Sequence, residues 1–204
     1  MPLQRIPFEF DITGAIPSDV SAFITDAHTR VADFMDDHAD APLPSFIPSD
    51  FPMVFRALAG VVDQRLTSGN VFCEWGSGFG AVAGLAALLE FESYGIEMHD
   101  VLVEEAERLA TEYELPVEFA CGTFVPKDAQ HLTAFLGSIE HVLDGGQSAY
   151  DLLDIEPNDF DLVFCYPWPG GERVIDTIFD HVAANGAMLM TYHGIDEIRL
   201  VRKV

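Results

Sequence analysis

Downstream of Pro17-Ser18, the apolar residues Val20, Phe23, Ile24, Ala27, Val31, Phe34 and Met35 fall three and four apart. This spacing predicts an amphipathic helix over residues 18–35, with Ser18 as its N-cap and an acidic outer face. The stretch 36–48 is polar and proline-rich, and a second helix is predicted over 52–66, carrying Val54, Leu58, Val61 and Val62 inward and capped by Ser49 or Asp50. Thr67 to Asn70 then turns the chain into a short apolar strand at 71–75.

From there strands and helices alternate. Strands are predicted at 93–98, 117–121, 160–165, 187–192 and 197–204. Between them lie helices beginning behind the first strand, at Asp100 and ending before Pro116, over 128–143, and over 174–182, while 147–158 reads as a long loop or a short helix. Such alternation predicts an α/β fold: a doubly wound, mostly parallel sheet with helices on both faces and right-handed crossovers. With 204 residues, 49% of them apolar, the chain can bury one full core. Residues 1–48 are expected to form an N-terminal helical cap on an α/β domain at 49–204, the whole being one globular unit.

The chemistry begins at residues 71–80, Val-Phe-Cys-Glu-Trp-Gly-Ser-Gly-Phe-Gly, an apolar strand running through an acid into three glycines two apart. Gly76, Gly78 and Gly80 permit a sharp turn and close approach of the backbone to a ligand, although a plain strand-to-helix turn would use the same residues. Glu97 ends the second strand about 20 residues on, where a βαβ unit offers a carboxylate to ribose hydroxyls. The loop differs from the Gly-x-Gly-x-x-Gly of dinucleotide enzymes by carrying Glu74, which would repel a diphosphate and suits a ligand with an amino group and a positive centre.

An acid followed by Gly-x-Gly-x-Gly resembles the first motif of the class I S-adenosylmethionine-dependent methyltransferases, and the resemblance covers roughly residues 46–193. It implies the Rossmann-like methyltransferase fold and S-adenosylmethionine as cofactor. Glu74, Trp75, Gly76, Ser77, Gly78 and Gly80 would then seat the methionine moiety, Glu97 the ribose, and Met98 the adenine. Thr123 would stand near the adenine amino group, where the family often has an acid. Tyr166-Pro167-Trp168-Pro169 falls at the family's fourth motif, the lip where acceptor meets methyl, and departs from the Asn or Asp, Pro-Pro, aromatic pattern of enzymes acting on planar nitrogens. Two aromatics between prolines present rigid carbonyls and ring faces suited to an amine, while the alternative reading is a turn closing the strand. Tyr166 and His193 are the candidates for accepting a proton, with Asp50, Tyr166, Pro167 and Trp168 as the acceptor-binding set. The segment 46–50 is expected to touch cofactor or acceptor. Rival functions are a methyltransferase-like protein that binds cofactor without catalysis, and a nicotinamide-dependent oxidoreductase, the latter lacking a Tyr-x-x-x-Lys pair here.

Charge narrows the partners. The chain carries 34 acids against ten bases, a formal charge of −24, with Lys127 and Lys203 the only lysines. Such a surface repels phosphate backbones and disfavours a nucleic-acid acceptor. It favours cationic small molecules or basic protein segments, or else serves solubility in a salty medium. Cys73, Cys121 and Cys165 lie in or at the ends of apolar strands and are expected to be buried, reduced thiols, and the scattered histidines suggest no metal site. The longest apolar run, Phe79 to Leu89, is too short to span a bilayer, and no signal-peptide pattern is present, so a cytoplasmic location is expected.

Overall fold

Within the central strand β2 (Val71–Trp75), Phe72 and Glu74 alternate with Cys73 and Trp75, so each set faces an opposite side of the sheet. All four are buried, as the central position of a sheet covered on both faces requires. The computed structural model describes residues 3–39, 46–129, 132, 147–194 and 197–204. The helix expected over 128–143 lies largely outside the described residues.

In chain order the elements are β1 (Leu3–Arg5), α1 (Ser18–Asp37), α2 (Phe51–Asp63), β2, α3 (Ala81–Leu88), β3 (Glu92–Glu97), α4 (Asp100–Glu112) and β4 (Val117–Cys121). Then follow α5 (Ala149–Leu153), a 3-10 turn (Pro157–Asp159), β5 (Leu162–Cys165), α6 (Glu172–Val182), β6 (Met188–Tyr192) and β7 (Ile198–Lys203). They build a seven-stranded sheet in the order β1-β7-β6-β5-β2-β3-β4. β2 to β6 run parallel; β7 is antiparallel to β6, and β1 is antiparallel to β7. The expected doubly wound sheet is present. One edge is completed by β1, which the sequence pattern does not reveal.

Two cores flank the sheet. On one face α1 contributes Val20, Phe23, Ile24, Ala27 and Val31 to a cluster with Phe51 and Leu58 of α2, Leu85 of α3, and Phe72 and Phe164 of the sheet. The N-terminal extension is thus packed into the domain: Phe23 lies so close over Gly84 that a Cβ there would come within 2.5 Å of the ring. On the other face Trp75, Phe124, Tyr150, Phe160, Ile175 and Phe179 pack together. Burying each such aromatic stabilises the fold by roughly 1.5–3 kcal/mol relative to leaving it exposed.

The caps differ in detail from expectation. Pro17, with no side-chain cap bond, precedes α1, so Ser18 is its first helical residue. Asp50 caps α2, its carboxylate accepting from Met53 N at 2.9 Å. His99 stands at the N-cap of α4, with Asp100 one place inside. Cys73 and Cys165 are buried and free as expected, but Cys121 is exposed at the end of edge strand β4, where only one side of the chain is covered. Among the described residues no helix is long and apolar enough to cross a membrane.

The chain fills β2, β3 and β4 outward on one side, then returns to place β5 on the other side of β2. Strand order therefore reverses between β2 and β5. In open α/β sheets ligands bind in the crevice at the carboxyl ends of the strands at such a reversal.

Candidate functional site

β2 ends in a turn built on three left-handed glycines: Gly76 at φ +74°, Gly78 at +51° and Gly80 at +65°. An L-residue in this conformation costs about 1–2 kcal/mol. The amides of Gly76 and Ser77 both donate to Ile96 O at 2.9 Å, which ties the turn to β3, and Gly80 N donates to Ser77 O at 2.7 Å. A Cβ at Gly78 would come within 2.7 Å of the Phe46 ring, and one at Gly80 within 2.4 Å of Phe119, whereas one at Gly76 meets nothing within 4 Å. Two of the glycines allow tight packing, and the third leaves room on the open side of the turn.

Two carboxylates flank this turn. Glu74 is 5% exposed, and its Oε2 accepts from Ala83 N at 2.8 Å in the first turn of α3. Burial pushes its pKa well above the ordinary carboxylate range, and the charge of Glu97 adds to this; the Ala83 amide offsets only part. Glu97 is 8% exposed but richly bonded. Its Oε2 accepts from Gly78 N at 3.0 Å. Its Oε1 accepts from Met98 N at 2.8 Å, His99 N at 3.0 Å and the His99 ring Nδ1 at 2.8 Å. Burial works against its charge, yet the His99 ring and the backbone amides outweigh it and hold the carboxyl below its usual range. His99 is raised in return, by its bond to Glu97 against the opposing effect of burial.

The glycine turn, Glu74 and Glu97 open onto a cleft of about 840 Å³ at the carboxyl ends of the parallel strands. One wall comes from the N-terminal extension: Phe46, Ile47, Pro48 and Ser49, with Phe46 stacked on Phe79 at 5.7 Å between ring centroids. The far wall is Tyr166 to Pro169, Glu172 at the start of α6, His193 and Glu197. Tyr166 packs edge-on against Tyr192 at 4.8 Å. The Trp168 indole lies over Gly171, where a Cβ would be 2.4 Å from Cε2, so the half-buried ring is seated by the start of α6. His193 Nε2 is 2.8 Å from Thr191 Oγ1, and the His193 amide donates to Glu197 O at 2.9 Å. Among the described residues, four glutamates and two histidines line the cleft, and no lysine or arginine does.

The cleft brings together Glu74, Trp75, Gly76, Ser77, Gly78, Glu97, Met98, Tyr166, Pro167, Trp168 and His193. Three other expected site residues stand apart from its lining. Thr123 is buried, its hydroxyl accepting from Val125 N at 3.1 Å, while its neighbours Gly122 and Phe124 line the cleft. Asp50 is spent on capping α2, while its neighbours Ser49 and Phe51 line the cleft. Gly80 sits behind the turn as the N-cap of α3. The Trp75 indole stacks on Phe124 at 4.9 Å.

Sequence reasoning missed His99, Glu172 and Glu197. His99 had a signal, a polar residue two places after a strand-end acid and just before a helix. Glu172 and Glu197 had none beyond their charge. Among the described residues, no group of three or more His, Cys, Asp and Glu side chains is placed to hold a metal ion.

Neither a protein-family model nor a curated protein matches the sequence. Solved structures do resemble the fold. An RNA methyltransferase from Salinibacter ruber in complex with S-adenosyl-L-homocysteine matches over 77% of this chain and 92% of its own, at 18% identity and a TM-score of 0.51. A methyltransferase from Geobacter sulfurreducens matches over 94% of this chain and 92% of its own, at 13% identity and a TM-score of 0.51. The fold of the chain is the Rossmann-like methyltransferase fold.

Proposed function

We propose that the cleft binds S-adenosylmethionine and that the protein transfers its methyl group to an amine, on a small molecule or a protein side chain. The observation that carries this is the pairing of a glycine turn with two buried carboxylates, in a cleft whose described lining holds acids and histidines and no lysine or arginine. A diphosphate has no cationic side chain to meet there, whereas a ligand bearing an ammonium and a sulfonium does meet complementary charge. The similar Salinibacter ruber protein holds the demethylated form of that cofactor.

The residues fit such a group. Gly76 leaves open space beside Glu74, which suits the amino-acid end, and Glu97 at the next strand suits a vicinal diol. Met98 and Gly122 flank the place for the base. When bound, the cofactor supplies an electrophilic methyl on a sulfonium whose charge is lost on transfer. The chain's part is to orient an acceptor in line and exclude water, which Tyr166, Pro167 and Trp168 do as a rigid lip, with Phe46 and Ile47 opposite. Glu172 and Glu197 favour a cationic acceptor at the mouth, and the −24 charge of the whole chain disfavours a nucleic acid. For an amine to attack it must shed a proton. In the tautomer whose Nε2–H donates to Thr191 Oγ1, the Nδ1 atom of the His193 ring is the base, and Tyr166 is the alternative.

Calorimetric titration with S-adenosylmethionine, S-adenosylhomocysteine and NAD tests the cofactor: the first two bind and NAD does not. A methyl-transfer screen with matched amine and carboxylate acceptors then tests the acceptor. Preference for carboxylates, or tight binding of NAD, would refute the corresponding half of the proposal.

A further inference from the structure

The four hydrogen bonds to Glu97 are unevenly shared. Oε2 takes one donor, Gly78 N, while Oε1 takes three, namely Met98 N, His99 N and His99 Nδ1. A carboxylate offers about four lone-pair positions, two on each oxygen. Oε1 is therefore saturated and Oε2 has one position left. A vicinal diol that donates to both oxygens needs a position on Oε1. Three of the four donors are backbone amides, fixed by the glycine turn and by the start of α4. The His99 ring alone can leave: it lines the cleft and its side chain is 36% exposed.

We infer that His99 is a latch on Glu97, its ring standing where a ribose hydroxyl must donate, and that cofactor binding swings the ring aside. This rests on the cofactor reading above. The latch sets affinity, since part of the binding free energy goes to breaking the His99–Glu97 bond. It also couples binding to pH. Glu97 raises the pKa of His99 above its ordinary value, so a ring that loses Glu97 falls back toward that value and gives up a proton to solvent. Affinity then rises with pH between the ordinary and the raised pKa, and is lowest below both. Among the described residues, the other titratable groups that interact with the pair are Asp100 on α4, Cys121 at the end of β4 and Glu74 on β2, on which the charge of Glu97 acts. Glu74 would itself release a proton when its partner is an ammonium. Methylthioadenosine, which keeps the ribose and lacks the amino acid, separates the two.

The test is calorimetry of S-adenosylhomocysteine and methylthioadenosine from about pH 5.5 to 8.5, a range that starts below the ordinary histidine value of about 6.5 and extends above it, in buffers of different ionisation enthalpy. The wild-type protein is compared with His99→Ala and with His99→Gln, whose amide can still donate to Glu97 without titrating. Wild type is expected to release a proton on binding methylthioadenosine. His99→Ala is expected to bind roughly tenfold more tightly at low pH and to lose the pH slope, the size of one charge-assisted bond. His99→Gln is expected to lose the slope without the gain. Weaker binding by His99→Ala would overturn the latch and make His99 a support for Glu97. An unchanged slope in both variants would overturn it too. If wild type bound neither ligand, the cofactor reading itself would fall and the latch with it.

Discussion

The two walls of the cleft are built in opposite ways. On the glycine side, both carboxylates and the turn are pinned: Glu74 by Ala83 N, Glu97 by four donors, and the turn itself by Ile96 O. On the far side, Tyr166, Trp168, Glu172, His193 and Glu197 come from two stretches of chain, 166–172 and 193–197, and are half-buried or exposed; Tyr166 is held by ring packing on Tyr192, and His193 by hydrogen bonds to Thr191 and Glu197. A wall assembled from backbone geometry is suited to one constant ligand. A wall assembled from side chains at the starts and ends of elements can be altered without disturbing the sheet, which is why the proposed function puts acceptor choice there.

The largest test of this contrast strikes the pinned wall. Gly80→Val adds a branched Cβ at φ +65° and drives it into Phe119 and Ala106. Left-handed strain and overpacking together should cost about 3 kcal/mol or more of stability, read by denaturant unfolding. A loss under about 1 kcal/mol would show that the turn relaxes easily.

Glu74→Gln should separate binding from stability. Loss of the charged contact to the ligand ammonium should weaken cofactor binding about tenfold, or 1.4 kcal/mol. Stability should move the other way. The folded pKa of Glu74 lies above its unfolded value, so the folded state loses stability as pH rises from the ordinary carboxylate range toward that raised pKa. The glutamine variant should therefore melt higher than wild type at neutral pH and match it in acid. Glu97 has the reverse sign: its lowered pKa stabilises the fold above the ordinary range, and this is lost as pH falls through the folded value. Equal melting of Glu74→Gln and wild type across pH would contradict the account of burial.

On the far wall the effects should fall on turnover. Trp168→Ala should lower methyl transfer to the true acceptor by roughly tenfold while cofactor affinity stays within a few-fold, since removing acceptor contacts leaves the glycine side intact. A parallel loss of affinity would show that the indole serves both ligands. The smallest effect is expected from Tyr166→Phe, which keeps the ring against Tyr192 and removes only the hydroxyl. If His193 is the base, transfer should fall by no more than about threefold; a loss of a hundredfold or more would assign the proton to Tyr166.

The same contrast explains what could be read from the sequence. Glu74, Gly76, Gly78 and Glu97 were legible because a strand, a turn requiring positive φ and a strand-end acid leave a contiguous pattern. So were α1, α2 and α4, whose apolar stripes run for several turns. Thr123 and Asp50 stand beside the cleft with their side chains outside its lining: each short polar group has a nearer amide to satisfy, Val125 N and Met53 N respectively, and is bonded to it. His99 follows the strand-end acid by two places and so left a local trace, whereas Glu172 and Glu197 reach the cleft through the paths of α6 and the β6–β7 connection, which no local pattern encodes. The three residues of β1 are too few to show a period, and their pairing with β7 is purely tertiary.

That pairing also fixes an order of events during synthesis. Among the described strands, β1 is made first and its neighbour in the sheet, β7, is made last. On the ribosome the leading segment must wait, unpaired, through the emergence of every other strand. The long-range closure between β1 and β7 carries the highest loop entropy in the fold, so it should be a late step of assembly, read as the last amides to gain protection in pulse-labelled hydrogen exchange.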